Sequence, residues 1–278
     1  MGIVASQSGR ITTVNDAATA LVTAAVVIAV VMLSTWVVSL ALRNASIVDI
    51  VWGCGFVAVA WAVLALTDGD GGRRALIVTM TTVWGVRLGA YLWWRNHGRG
   101  EDFRYRSMRK RHGDRFPIVS LTHVYALQGA LMWIVSLPVQ LGLAADGDGA
   151  GPIAWIGVAI WIVGFVFESV GDWQLARFRR TRTSADDVMD RGLWRFTRHP
   201  NYFGDACVWW GIALVAAETG TGAIGIVGAL VMTVLLLKYS GVPILERSLR
   251  KRRPAYADYA ARTSAFIPLP PRRSRSTT

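Results

Sequence analysis

Apolar residues gather into long runs at Ala17–Leu42, Ile47–Thr67, Ala75–Trp94, Ile118–Ala145, Pro152–Val170, Phe203–Ala217 and Gly222–Tyr239. Most approach or exceed the roughly 18 to 20 residues that a helix needs to cross a bilayer core. Backbone in lipid must satisfy its own hydrogen bonds, so runs of this length predict helices. The pattern predicts an all-α integral membrane protein, a bundle of about seven transmembrane helices. The first run is longer than the roughly 7 to 15 apolar residues of a secretory signal, and no basic patch sits directly before it. It reads as a retained helix. Residues 1–16 read as a mobile N-terminus, 17–268 as one transmembrane domain, and 269–278, rich in Pro, Ser and Arg, as a disordered basic tail. Around Glu246–Tyr259 a short amphipathic piece is expected to break near Arg252, Arg253 and Pro254, since proline disfavours helix in the residue before it.

Charge adds a direction to this picture. The 278 residues include 30 Lys and Arg against 18 Asp and Glu, a net charge of +12. The basic residues crowd Arg95–Arg115, Arg177–Arg198 and Arg247–Arg275, while the loops Asp146–Gly151 and Glu218–Gly222 carry none. The positive-inside rule then expects the N-terminus outside and the C-terminus inside. The loop Asp68–Arg74 is the exception, because it carries Arg73 and Arg74 yet should face out. Short basic loops without a nucleic-acid-binding fold exclude nucleic acid as partner and leave anionic lipid or an anionic ligand. Cys54 and Cys207 lie inside apolar runs without a CxxC neighbour, and the four histidines show no HxxE or HxxxH spacing. No metal site is expected.

Polar residues inside the runs are costly to keep and mark candidate sites. Asp49 lies a few residues into the second run, with Arg87 of the third as its obvious partner, and Tyr125 and Gln128 add hydrogen-bonding groups to the fourth. Glu168 and Asp172 are spaced to share one helix face, with Arg177, Arg179 and Arg180 following. Such a set is either a salt-bridged helix end or a nucleotide site, with carboxylates taking ribose or amide hydrogens and arginines holding phosphate. There is no GxGxxG fingerprint, so a Rossmann domain is excluded. Arg198-His199-Pro200-Asn201-Tyr202 combines a permanent cation, an imidazole and an amide. Pro200 suits the first turn of a helix, so this cluster should open the sixth span, where a helix N-terminus favours an anion. Gly204 leaves room for close approach, and Asp205 lies one turn in.

The stretch Gly192-Leu-Trp-x-Phe-x-Arg-His-Pro-Asn-Tyr-Phe-Gly-Asp205 resembles the signature of the steroid 5α-reductase-like membrane proteins, many of them bacterial. It is similar also to sterol C14- and C7-reductases and, more loosely, to isoprenylcysteine carboxyl methyltransferases. The likeness takes in Leu127-Gln-Gly129, Glu168-x-x-x-Asp172 with Arg179, and the ending Tyr259-x-x-x-Thr-x-Ala-Phe-Ile-Pro268. It implies an enzyme of a bacterial cytoplasmic membrane, with NADPH in a cytoplasm-facing pocket built mainly from residues 118–268. The matching cofactor positions are Gln128, Asp172, Arg179, Asn201 and Asp205, with Arg198, His199, Tyr202 and Tyr259 from the shared signature. The implied reaction is hydride transfer to a C=C bond of a lipophilic substrate drawn from the bilayer. Steroid 5α-reductases grip the substrate ketone with a glutamate and a tyrosine. Here Asp49 stands for the glutamate, the tyrosine position carries Trp84, and Tyr91 is two turns on, so Asp49, if protonated, and Tyr91 are the expected catalytic donors. The rival reading is an S-adenosylmethionine-dependent methyltransferase, which would use Glu246 with Tyr256 and Tyr259. A non-enzymatic lipid-binding protein is the third.

Overall fold

The computed structural model describes residues 2–68, 71–147, 149–184, 186–239, 241–242, 246–247, 249 and 255–272, with side chains from Asn15 onward. Every regular element among them is helical. They are α1 (Gly2–Ala41), α2 (Ile47–Leu66), α3 (Gly71–Asn96), α4 (Phe103–His112), α5 (Phe116–Ser120), α6 (Leu127–Val135), α7 (Leu137–Ala144), α8 (Pro152–Thr181), α9 (Pro200–Ala216), α10 (Gly220–Ala223), α11 (Ile226–Val234) and α12 (Tyr256–Arg262). Six helical stretches among the described residues are long and apolar enough to cross a membrane. The chain is thus an integral membrane protein. The run at 203–217 forms α9, which has 17 residues. The backbone is helical from Gly2, ahead of the apolar run.

The fourth span differs from expectation. Helix begins at Phe103, inside the basic segment, where the Asp102 side chain caps α4 by accepting from the Arg104 amide at 2.9 Å. A 3-10 turn (Gly113–Arg115) and a wide π-helical stretch (Leu121–Ala126) carry the helical path on to Val135. It then breaks at Ser136, ahead of Pro138, and α7 follows as a separate helix. The pattern of apolar residues places this span at 118–145; a helix cap and a proline move it towards the N-terminus.

Contacts divide the chain into two compact units, Met1–Gly157 with Ile212–Gly228, and Val158–Gly211 with Ala229–Thr278. In the first, α2 and α3 touch backbone to backbone: a Cβ on Gly53 would lie 2.5 Å from the Gly85 carbonyl oxygen. Its core includes Phe56, Trp84, Tyr125 and Met132. Arg73 and Arg74, the exceptions to the charge pattern, are buried and turned onto helix C-termini. Arg73 donates to the Gly142 and Ala145 carbonyls at the end of α7, and Arg74 to Leu64 and Thr67 at the end of α2. Cations on orphan C-terminal carbonyls are stabilising, which accounts for two arginines in the first turn of α3. Glu218 does the converse for α8, accepting from the Ala154 amide at 2.7 Å.

The second unit repeats the close-approach device. A Cβ on Gly164 of α8 would lie 2.6 Å from the Gly204 oxygen of α9. Segment 192–198 is tied to the chain beyond α12 by a parallel bridge, Thr197 to Ser264. The Arg198 amide donates to Ser264 at 2.9 Å, and Thr197 Oγ1 to the Phe266 carbonyl at 2.8 Å. The first residues of the expected disordered tail take part. The Leu269 amide donates to Phe196 at 3.0 Å and that of Arg272 to Arg262 at 2.9 Å. Residues 273–278 of that tail, and the expected break at Arg252–Pro254, lie outside the described residues.

Candidate functional site

The expected site residues fall into two networks, one in each unit. The first surrounds Asp49, in the opening turn of α2. Its Oδ2 accepts from Arg104 NH2 at 2.8 Å and its Oδ1 from the Tyr105 hydroxyl at 2.9 Å. Gln128 Nε2 donates to the Tyr105 oxygen at 3.4 Å, so the relay runs Gln128 to Tyr105 to Asp49. Asp102 takes Arg104 Nε at 3.0 Å. The Asp102 amide in turn donates to Ser46 Oγ at 2.6 Å, which ties the start of α4 to the start of α2. Beside this, Glu101 accepts from the Ala45 amide and pairs with Arg109, both at 2.8 Å. Burial alone would raise the Glu101 carboxyl, but Arg109 and the Ala45 amide outweigh it and hold the group below its ordinary range.

Three expectations change here. Arg104 supplies the ion pair the structure gives Asp49, where the pattern pointed to Arg87. Tyr105, absent from the sequence candidates, is the tyrosine on the acid, while Tyr91 lies 5.5 Å from the Arg87 guanidinium and 5.7 Å from that of Arg95. In the bonds shown, Asp49 accepts while Arg104 and Tyr105 donate. Gln128, grouped with the cofactor residues by resemblance, is bonded into the Asp49 relay.

The second unit holds the remaining cofactor candidates. Arg198 donates from Nε to Glu246 Oε1 at 2.8 Å, and from NH1 to the Ala260 carbonyl at 2.6 Å and the Thr263 carbonyl at 3.1 Å. Its NH2 lies 2.7 Å from the same Glu246 oxygen. This guanidinium clasps the chain around α12 to the start of α9. His199, fully buried, places Nε2 at 3.4 Å from Glu246 Oε1 and stacks on Tyr202 at 5.4 Å. Burial lowers the imidazole below its ordinary 6.5, against the opposing pull of Glu246. For Glu246, burial raises the carboxyl, but His199 and Arg198 prevail and lower it. Asn201 donates to Asp172 at 3.2 Å, with Glu168 also buried one turn earlier on α8. Asp205 is half-buried in the second turn of α9. Tyr259 donates to the Trp194 carbonyl at 2.5 Å, and burial foremost, then Tyr256, raises its phenol.

A nucleotide can be tested against this second set. His199 Nδ1 is buried without a hydrogen-bond partner among the described residues, an unusual state that a ligand would relieve. Arg179 lines a cavity of about 70 Å³ with Trp194, Arg198, Tyr256 and Tyr259. Pockets that enclose whole ligands run to roughly 300–1,000 Å³, so most of a dinucleotide would lie outside this cavity. Asp172 as acceptor, with Asn201, His199 and Arg179, has polar chemistry that suits a nucleotide; the enclosed space fits a group the size of a phosphate. Among the described residues, no three His, Cys, Asp or Glu side chains gather as metal ligands would.

The sequence could have yielded Arg104 and Tyr105. Asp102 followed by Phe-Arg-Tyr-Arg is a helix-capping signal, and a helix starting there puts both residues on a path into the next apolar run. Glu246 came into view only for the methyltransferase reading; its pairing with Arg198 and His199 had no local signal, because those partners are 48 and 47 residues away in the chain.

Comparison with known proteins identifies a family and one relative. The family described as a protein of unknown function, DUF1295, matches residues 35–263. An uncharacterized protein of Schizosaccharomyces pombe is similar at 23% identity over 261 residues, covering 84% of this chain and 75% of that one. No solved structure matches.

Proposed function

Because the chain belongs to DUF1295, the steroid 5α-reductase-like family, we propose that it is a membrane-embedded, NADPH-dependent reductase of a C=C bond in a lipophilic enone. The observation that carries this reading is the acid–phenol–amide relay Asp49–Tyr105–Gln128, with Arg104 on the same acid. Reduction of an enone builds negative charge on its carbonyl oxygen, and a donor aimed there is worth about 2.7–4 kcal/mol of barrier. Asp49 holds Tyr105 and Arg104 in place, and these two supply the donors. Asp49 and Asp102 engage NH2 and Nε of Arg104, which leaves NH1 for a substrate oxygen.

NADPH, when bound, supplies the hydride. In this reading Asp172 and Asn201 take its polar hydrogens, His199 Nδ1 gains the partner it lacks, and Arg179 meets phosphate. Arg198 is a positioning residue, since its donors go to Glu246, Ala260 and Thr263. The basic ends of the spans support a cytoplasmic side for this network and a seven-span topology.

A second reading, an S-adenosylmethionine-dependent methyltransferase, draws on Glu246, whose bonds to Arg198 and His199 fix it beside the shared Arg-His-Pro motif. A thermal-shift titration of detergent-purified protein with NADPH, NADH and S-adenosylmethionine separates the two. Stabilisation by NADPH, lost in Asn201→Ala, is expected; stabilisation by S-adenosylmethionine alone would retire the hydride reaction.

A further inference from the structure

Outside both networks lies a cleft of about 560 Å³ whose charge has no role in the reaction above. Arg191 and Arg195 come from the turn before α9, Arg262 from the end of α12, and Arg272 from the chain beyond it. Backbone bonds from Arg272 to Arg262 and from Leu269 to Phe196 bring these segments together. One acid answers the four cations, Asp190, which binds Arg262 at 2.7 Å. Converging like charges raise the local field and are kept where an anion is met. Arginine suits a phosphate, because its planar fork donates two parallel hydrogen bonds.

The same segments carry a second feature. Phe196 is 41% exposed, Ile267 61% and Leu269 53%. Phe196 follows Arg195 directly, and Leu269 is bonded to it through the backbone. Exposed aromatic and aliphatic side chains next to arginines are what a membrane interface selects: the apolar groups enter the acyl boundary and the cations take headgroup phosphate. A soluble phosphate ligand explains the arginines but leaves the three apolar side chains in water.

We propose that this cleft binds the phosphate of an anionic bilayer phospholipid, with Phe196, Ile267 and Leu269 against its acyl chains. The site does not depend on the reductase reading and would persist if that reading failed.

The test uses full-length protein in a neutral detergent, with lipid binding read by native mass spectrometry and by thermal shift. The probes are short-chain phosphatidylglycerol, phosphatidylcholine of the same chain length, and inorganic phosphate. Phosphatidylglycerol should bind and stabilise, phosphatidylcholine much less, and phosphate only at far higher concentration. Arg195→Gln with Arg272→Gln should weaken phosphatidylglycerol about 30-fold, at roughly one basic residue's surface attraction each. Ile267→Ser with Leu269→Ser, which keeps every arginine, should weaken phosphatidylglycerol but leave phosphate binding unchanged. Equal binding of phosphatidylcholine, equal potency of free phosphate, or phosphatidylglycerol binding unaltered in both double variants would each overturn the proposal.

Discussion

The two units contain the same chemical pair in opposite settings. Asp49 and Arg104 meet at 2.8 Å with side chains 22% and 48% exposed; Glu246 and Arg198 meet at 2.7 Å at 13% and 10%. The distances do not separate them. What does is how the remaining donors are used. Arg198 gives NH1 to two backbone carbonyls and joins three parts of the chain, whereas Arg104 bonds two acids close to its own helix start. An arginine whose donors go mostly to its own fold serves structure first, and an open one with donors to spare can meet a ligand. The Arg-His-Pro signature therefore owes at least its arginine to holding the second unit together.

This contrast is broken most directly by removing the cations. Arg198→Ala leaves the largely enclosed Glu246 with only His199 beside it and frees two backbone carbonyls, and should cost about 3 kcal/mol, a clear loss of thermal stability in detergent. Arg104→Ala, at an exposed pair, should cost about 1 kcal/mol or less. Equal losses would erase the distinction between clasp and open site. The next effect is on catalysis. With an enone substrate in hand, Tyr105→Phe should lower turnover by about 100- to 1,000-fold, while its stability cost stays near that of its two hydrogen bonds, about 2 kcal/mol. Turnover left intact would remove Tyr105 from the chemistry and reopen the place for Tyr91.

How much of this was legible follows from the range of each signal. The helices were, because a run of twenty apolar residues is a local fact. Asp49 stood out as a polar group inside an apolar run, and Asp172 and Asn201 through the polar clusters that flank α8 and α9, where the structure joins them. The start of the fourth span was hidden by its own charge: Arg104, Arg106 and Arg109 make the first turns of a helix look like a loop. That error carried Tyr105 out of view. Arg73 and Arg74 stood as exceptions to the charge pattern because charge counting assumes cations answer to the membrane, and these donate to carbonyls at the ends of α2 and α7. The Arg198–Glu246 clasp, closed across 48 residues, has no signature short of the fold itself.

Packing offers a case where the two units should agree. Gly53 and Gly164 each face a carbonyl oxygen of the neighbouring helix at about the same distance, 2.5 and 2.6 Å from a would-be Cβ. Backbone cannot swing aside as a side chain can. Gly53→Ala and Gly164→Ala should therefore each cost about 1–3 kcal/mol, read as parallel losses of thermal stability. A free pass at one position alone would show that one helix pair can part and the other cannot.

The smallest expected effect separates the units by acidity. His199 is held neutral in the folded second unit, with its imidazole below the ordinary 6.5. As the pH falls through that value, the unfolded chain takes up this proton first, so stability declines from about pH 6.5 until the folded imidazole also protonates. The slope from one such proton is at most about 1.4 kcal/mol per pH unit. Glu246 is depressed below its ordinary 4.5, so its contribution is present above 4.5 and is lost as the pH falls through its folded value. Glu101, in the first unit, is depressed likewise and is lost in the same lower range. Between pH 7 and 5, then, the His199 contribution weakens while those of Glu101 and Glu246 hold. Hydrogen exchange followed peptide by peptide, corrected for intrinsic rates, should show faster opening around 194–205 than around 45–56 as the pH drops. His199→Gln should flatten the first response and leave the second alone. Loosening of both regions in step, unchanged by the substitution, would mean that acid acts on the whole chain and not through this imidazole.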